Sequence, residues 1–123
     1  MKGIPITKKK LVAYIKYQLS VNHRWAFRAL DVIYSKQEPD EQLFNYASHR
    51  NNWGFDKIDA KILSVIAERH KRNISMSARD IITIMTRMKK YSRQIYELSD
   101  KTKLESSYRK YVILNESQIE NVG

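Results

Sequence analysis

Acid–base or metal chemistry in this chain would have to be built from three histidines and 13 carboxylates, because cysteine is absent. His23, His49 and His70 are scattered. None has a ligand-type partner three to five residues on, the spacing that sets two donors on one helix face. Asp56 and Asp59 are close enough to act as a carboxylate pair, but both fall at a helix start, where acids are stabilising without any catalytic duty. No phosphate-binding loop, dinucleotide fingerprint or serine-centred elbow is present. The chemistry-bearing residues therefore predict no enzyme, no catalytic residue, no metal and no cofactor.

Cationic charge is what the chain has instead. It carries 23 Lys and Arg against 13 Asp and Glu, a net charge of +10, which favours polyanionic partners such as nucleic acid. The charge is unevenly spread. Residues 1–37 hold eight basic side chains and one acidic, residues 38–60 two and five, residues 61–99 nine and three, and residues 100–123 four of each. Two basic segments thus flank an acidic middle.

Within them the candidate nucleic-acid contacts form three groups. Lys8, Lys9 and Lys10 open a first helix, where the helix dipole disfavours cations, which points to a use outside helix stability. Arg69, Lys71 and Arg72 surround His70 near a helix end, where cations suit the dipole. Arg79, Arg87, Lys89, Lys90 and Arg93 lie on the polar side of the most regular helix in the chain. All are read as phosphate contacts rather than base readers. Tyrosines interleave with cations in KKYSRQIY (89–96) and SYRKY (107–111), a pattern compatible with base stacking, although Tyr91 also falls on a core-facing stripe.

The elements that must carry these groups are helices. Between the termini only Pro5, Pro39 and Gly54 punctuate the chain, leaving long stretches suited to helix. Thr7 is placed to cap a first helix to about Ser20, and Asn22 a second to about Lys36. Asp40 starts a short third with Leu43, Phe44 and Ala47. A fourth spans about Asp56 to Arg72, and a fifth runs from Ser75 or Ser77 to about Leu98. In the fifth, Ile81, Ile84, Met85, Met88, Tyr91, Ile95 and Leu98 share one side at helical spacing, and its methionines read as core packing. The 72–77 connection is short enough for a helix-turn-helix, a weak signal taken alone.

After Asp100 the pattern weakens: Leu104, Tyr108 and Val112 suit a helix, while Tyr111–Leu114 is equally strand-like. The expectation is an all-α compact bundle of about five helices in a single domain, 1–123. Its core spans about 7–98, with a partly ordered segment over 99–123. The N-terminus lacks an apolar signal region and no run approaches the roughly 18 apolar residues of a membrane span, so a cytoplasmic protein without membrane contact is expected.

The pieces ALDVIY, SKQEPDEQ, NNWGFDKIDAKILSVIAE and KKYSRQI resemble a small helical module that recurs in phage and plasmid proteins. The matching positions are Ile33, Tyr34, Gln37, Asp40, Glu41, Gln42, Asn51, Gly54, Phe55, Asp59, Ala60, Ser64, Ala67, Glu68, Lys90, Tyr91 and Gln94, within about residues 22–98. Trp53 departs from the pattern, which usually has a smaller residue there. The resemblance carries no agreed activity, but it implies a mobile-element context near DNA or host defence. With the charge pattern it gives the expected function: a nucleic-acid-binding accessory or regulatory protein of a phage or mobile element, with DNA favoured over RNA. The competing expectation is a small inhibitor or adaptor docking on a host or phage protein, suggested by the bipolar surface that EPDEQ (38–42), Asp56 and Asp59 would make.

Gly54 is the one internal glycine after Gly3. It reads as the residue that lets the chain turn into the fourth helix, with Asp56 as N-cap, Asp59 three residues on, and Trp53 packing the turn.

Overall fold

Most of the described helices begin where a side chain satisfies the orphan backbone donors of the first turn. The computed structural model describes residues 5–37 and 54–122, with side chains as far as residue 115. Helix α1, Lys8–Val21, is capped by Thr7, whose hydroxyl accepts from the Lys10 amide at 3.2 Å. Asn22 alone separates α1 from α2, His23–Ser35. Its amide closes α1 on the Gln18 carbonyl, and its side chain accepts from the Arg24 amide at 3.0 Å. The expected third helix, with Asp40, Leu43, Phe44 and Ala47, lies outside the described residues, as do His49 and Trp53.

The next described helix, α3, spans Lys57–Lys71, with the Asp56 side chain accepting from the Asp59 amide at 2.9 Å. Its C-terminus closes in a Schellman motif: the Ile74 amide reaches the Arg69 carbonyl and the Asn73 amide the His70 carbonyl. Asn73 holds φ +58, taking the left-handed position that glycine usually fills. Helix α4, Ala78–Arg87, opens on a reciprocal capping box between Ser77 and Asp80.

The expected fifth helix is interrupted. A 3-10 turn, Met88–Tyr91, joins α4 to α5, Ser92–Leu98. In a 3-10 turn residues three apart eclipse, so Met88 and Tyr91 point the same way, and both are buried. The final helix, α6, covers Lys101–Val122, with the Asp100 carboxylate accepting from the Lys103 amide at 3.1 Å. Helix thus prevails over strand at Tyr111–Leu114. Leu104 is buried, with Tyr108 and Tyr111 packed against the core one and two turns on, so the core reaches past residue 98 into α6.

The architecture is an all-α bundle forming a single domain, with no strand among the described residues. One apolar core gathers Ile15 and Leu19 of α1, Leu30 and Ile33 of α2, Phe55, Leu63 of α3, Ile84 of α4, and Met88. Helix α1 packs on α2, on α5 and on the 3-10 turn, while α2 packs on α3 and α4. No helix among the described residues is long and apolar enough to cross a membrane.

Candidate nucleic-acid interface

Two sets of charged residues stand out, and the first is internal. Asp59, in the first turn of α3, is fully buried. Its Oδ2 accepts from the Tyr91 hydroxyl at 2.6 Å and lies 2.8 Å from Lys90 Nζ, while Oδ1 accepts from Arg87 at 2.8 Å. Lys90 also reaches Asp56 at 3.0 Å, and the Tyr91 oxygen accepts from the Asp56 amide at 3.1 Å. The preceding turn is held as firmly. Gln94 brackets Gly54, accepting from its amide and donating to its carbonyl, each at 3.1 Å, and Gln37 accepts from the Phe55 amide at 3.0 Å.

This network moves several protonation equilibria. Burial, reinforced by the Asp59 carboxylate, pushes the Tyr91 hydroxyl well above its ordinary value, and burial with the Glu68 bond does the same to Tyr34. Hydrogen bonds to Asp59 and Asp56 raise Lys90. Partial burial pushes the Asp56 carboxyl up, but the Asp59 amide and Lys90 together outweigh it and hold the group below the usual range.

The sequence candidates divide accordingly. Arg87 and Lys90 serve Asp59 and Asp56. Arg69 pairs with Asp80 at 3.0 Å, tying the end of α3 to the start of α4, and Arg72 lies 3.9 Å from Glu68. At Asp80, burial raises the carboxyl, but the Ser77 cap and Arg69 bring it below its ordinary value. Lys8 pairs with Glu97 at 2.7 Å, and this bond holds the Glu97 carboxyl down. Lys10 Nζ donates to the Pro5 carbonyl at 3.1 Å. Lys9, Lys71, Arg79, Lys89 and Arg93 are exposed and form no ion pair among the described residues.

The Lys8–Glu97 pair, 89 residues apart in sequence, sets a register. Helix α1 packs on both α5 and the 3-10 turn with its N-terminus at Glu97, so the two run antiparallel. Advancing one turn from 8 opposite 97 brings 12 level with 93. Glu97 and Arg93 lie four apart on one face of α5, whereas Lys89 stands in the 3-10 turn before it, where the four-residue ridge does not continue. Across from it, Lys9 and Lys16 are exposed on α1. The resulting seam brings the Lys8–Lys10 group up to the helix of Arg93, with Lys89 in the turn that precedes it. The Arg69, Lys71, Arg72 and Arg79 group sits apart, where α3 meets α4. Helix α4 leaves Arg79, Ile82 and Thr86 exposed.

Lys16 was not among the candidates, although its i+7 spacing from Lys9 is a readable signal. Lys101 was missed as well. Its Nζ lies 4.5 Å from the Tyr96 ring centroid, with Lys8 Nζ at 5.3 Å, so one ring meets two cations at the end of the seam. The other tyrosines of the interleaved runs pack inward. Tyr91 is buried, and Tyr108 and Tyr111 join Tyr14 and Trp25 in an aromatic cluster. His70 stacks on Phe27 at 4.7 Å with Nδ1 3.0 Å from Asp31, a packing role at a helix end. Among the described residues no group of three or more potential ligands could hold a metal ion.

Comparison with family models, with curated proteins and with solved structures returns no match to this chain. Most of the described polar residues on which the sequence resemblance rests make internal contacts; Ser64 is buried without a hydrogen-bond partner among the described residues. Tyr34 bonds Glu68, Gln37 holds Phe55, Gln94 holds Gly54, and Lys90 and Tyr91 hold Asp59.

Proposed function

We propose that the chain is a non-catalytic nucleic-acid-binding protein, an accessory or regulatory factor of a phage or other mobile element acting in the host cytoplasm. It contacts DNA phosphates through the α1–α5 seam. The observation that supports this reading is the Lys8–Glu97 pair, which docks the cationic start of α1 on the end of α5, the helix that carries Arg93. Cations held by buried carboxylates contribute little to a phosphate surface, because their field is already neutralised locally. The contacts are therefore Lys9, Lys10, Lys16, Lys89 and Arg93, with Lys8 shared between Glu97 and ligand. The mobile-element context rests on the sequence resemblance.

The test is fluorescence anisotropy of a labelled DNA duplex across a salt series. Each phosphate contact contributes about 0.9 to the log–log salt slope, so five contacts give a slope near −4.5. The K89E/R93E double variant weakens binding at least roughly tenfold with an unchanged melting midpoint. Absence of binding to both duplex and single strand at about 50 mM salt would overturn the reading.

A second reading, an inhibitor or adaptor that docks on a host enzyme or defence nucleoprotein complex, is favoured by the exposed Ile82 on α4 and by Ile113 and Leu114 on α6. A stoichiometric protein partner recovered from nuclease-treated host lysate, together with failed DNA binding, selects it.

A further inference from the structure

Outside the seam, a trough among the described residues brings cations, aromatic rings and small polar groups together. It lies between the start of α2, α6 and the end of α5. Two adjoining hollows of 320 Å³ and 500 Å³ share Trp25, Lys103 and Ser107 in their walls. Arg28 borders the first hollow, and Lys110 and Tyr111 border the second. Arg28, Lys103 and Lys110 are exposed and form no ion pair among the described residues. The one carboxylate in the lining, Asp100, is engaged as an acceptor for the Lys103 amide.

The aromatic wall is rigid. Tyr14 is buried and its hydroxyl lies 2.6 Å from Ser107 Oγ. Trp25 meets Tyr14 edge to face at 5.6 Å, and Tyr111 meets it at 5.1 Å. Trp25 and Tyr111 stay partly exposed, so preorganised π surface faces the trough at little cost in conformational entropy. Lys103 and Lys110 stand two turns apart on α6, about 10 Å. A cationic groove with aromatic platforms along it is the arrangement that holds unpaired nucleotides, since every base offers a π face and the backbone follows the charges. A duplex cannot use it, because its bases are already stacked. The trough also meets the phosphate seam: Lys101, over Tyr96, and Lys103 belong to the same first turn of α6.

We propose that the Trp25 trough is a single-stranded DNA site in which an unpaired base stacks on Trp25 while Arg28, Lys103 and Lys110 hold the flanking phosphates. The proposal rests on the nucleic-acid reading above and adds its substrate class: DNA with an unpaired segment, gripped at the trough and continued as backbone contact along the seam.

The test uses the full chain with W53F, which leaves Trp25 as the only tryptophan, titrated with an oligo-dT strand and with a duplex of matching length. Single strand is expected to quench Trp25 emission saturably, and duplex is not. K103E/K110E, at exposed positions, weakens single-strand binding roughly tenfold. It also lowers the single-strand salt slope by about 1.4, two contacts at about 0.7 each. W25L weakens binding similarly, its melting midpoint reporting that the fold is kept. Single-strand binding that is lost in K89E/R93E but unmoved by K103E/K110E, with no Trp25 quench, overturns the trough and leaves the seam standing. If neither oligonucleotide binds, trough and seam fall together.

Discussion

At the start of α3, a fully buried Asp59 receives hydrogen bonds or ion pairs from Tyr91, Arg87 and Lys90. At the α1–α5 seam, Lys9, Lys89 and Arg93 are exposed and meet no carboxylate among the described residues. Both regions concentrate cations, and KKY, residues 89–91, supplies both: Lys89 to the seam, Lys90 and Tyr91 to Asp59. Adjacent lysines of one run thus have opposite duties. What separates them is the direction each takes from a 3-10 turn, not composition. A basic run is informative about partners only after its internal carboxylates have been subtracted.

The largest test of that contrast is Asp59→Ala. It leaves Arg87, Lys90 and the Tyr91 hydroxyl without their shared acceptor. Breaking a buried ion pair typically costs about 3–5 kcal/mol. Arg87 and Lys90 are 35% and 48% exposed and can rehydrate, which favours the lower end, about 3 kcal/mol. Urea denaturation measures this, and a loss under about 1 kcal/mol would show that the network contributes little to the fold. The same substitution should leave the salt slope of DNA binding unchanged in the folded protein.

Gly54→Val comes next. Gly54 holds φ +107, and an added Cβ would lie 2.8 Å from Gln37 Cγ. Relief requires Gln37 to move, which loosens its bond to the buried Phe55 amide. A side chain forced into such a backbone region costs about 1–3 kcal/mol, and the displaced glutamine places this case near 3. Loss of DNA binding at an unchanged melting midpoint would refute the structural role assigned to the glycine.

These two positions also mark how far the sequence could be read. Thr7, Asn22, Asp56 and Ser77 each cap a helix as their types and spacing indicate, because capping is decided within three residues. The Gly54 turn was legible for the same reason. Asp59 reads from the sequence as an acid in the first turn of its helix, but its partners stand 28 to 32 residues away, beyond any local pattern. Arg87 and Lys90 looked like phosphate contacts because a helical projection shows their sides, not what packs there. The 3-10 turn was hidden because MKKY continues the apolar spacing of an α-helix closely enough to disguise the change of pitch. The seam was half legible: both cationic groups were visible, but the Lys8–Glu97 contact that joins them spans 89 residues.

A pH series separates the phenols and Lys90 from the carboxylates by sign. Tyr91, Tyr34 and Lys90 have raised folded-state values, so their stabilisation is complete below the ordinary values near 10 and is lost as pH rises above them. Asp56, Asp80 and Glu97 have lowered values, so theirs is complete above the ordinary 3.8 to 4.5 and is lost as pH falls below. The melting midpoint should be flat between about pH 5 and 10, with an alkaline limb set by Tyr91, Tyr34 and Lys90 and an acid limb set by Asp56, Asp80 and Glu97. Tyr91→Phe should flatten the alkaline limb alone. An equal change in both limbs would mean that the Tyr91 hydroxyl also governs the acid groups.

The smallest expected effect bears most directly on function. Glu97→Gln removes the carboxylate that Lys8 holds at the seam, a pair whose side chains are 60% and 46% exposed. An ion pair so open to water is screened and worth little to the fold, so the melting midpoint should not move. Binding should respond instead. Removing the anion deepens the positive potential of the seam and frees Lys8 for a phosphate, so affinity rises and the log–log salt slope steepens by up to about 0.9. The sign is diagnostic, because a purely structural Lys8–Glu97 pair would leave affinity and slope unchanged or weaken binding by loosening α1 from α5. Either result would remove Lys8 from the interface and return the start of α1 to the same class as Lys90: a cation whose work is done inside the molecule.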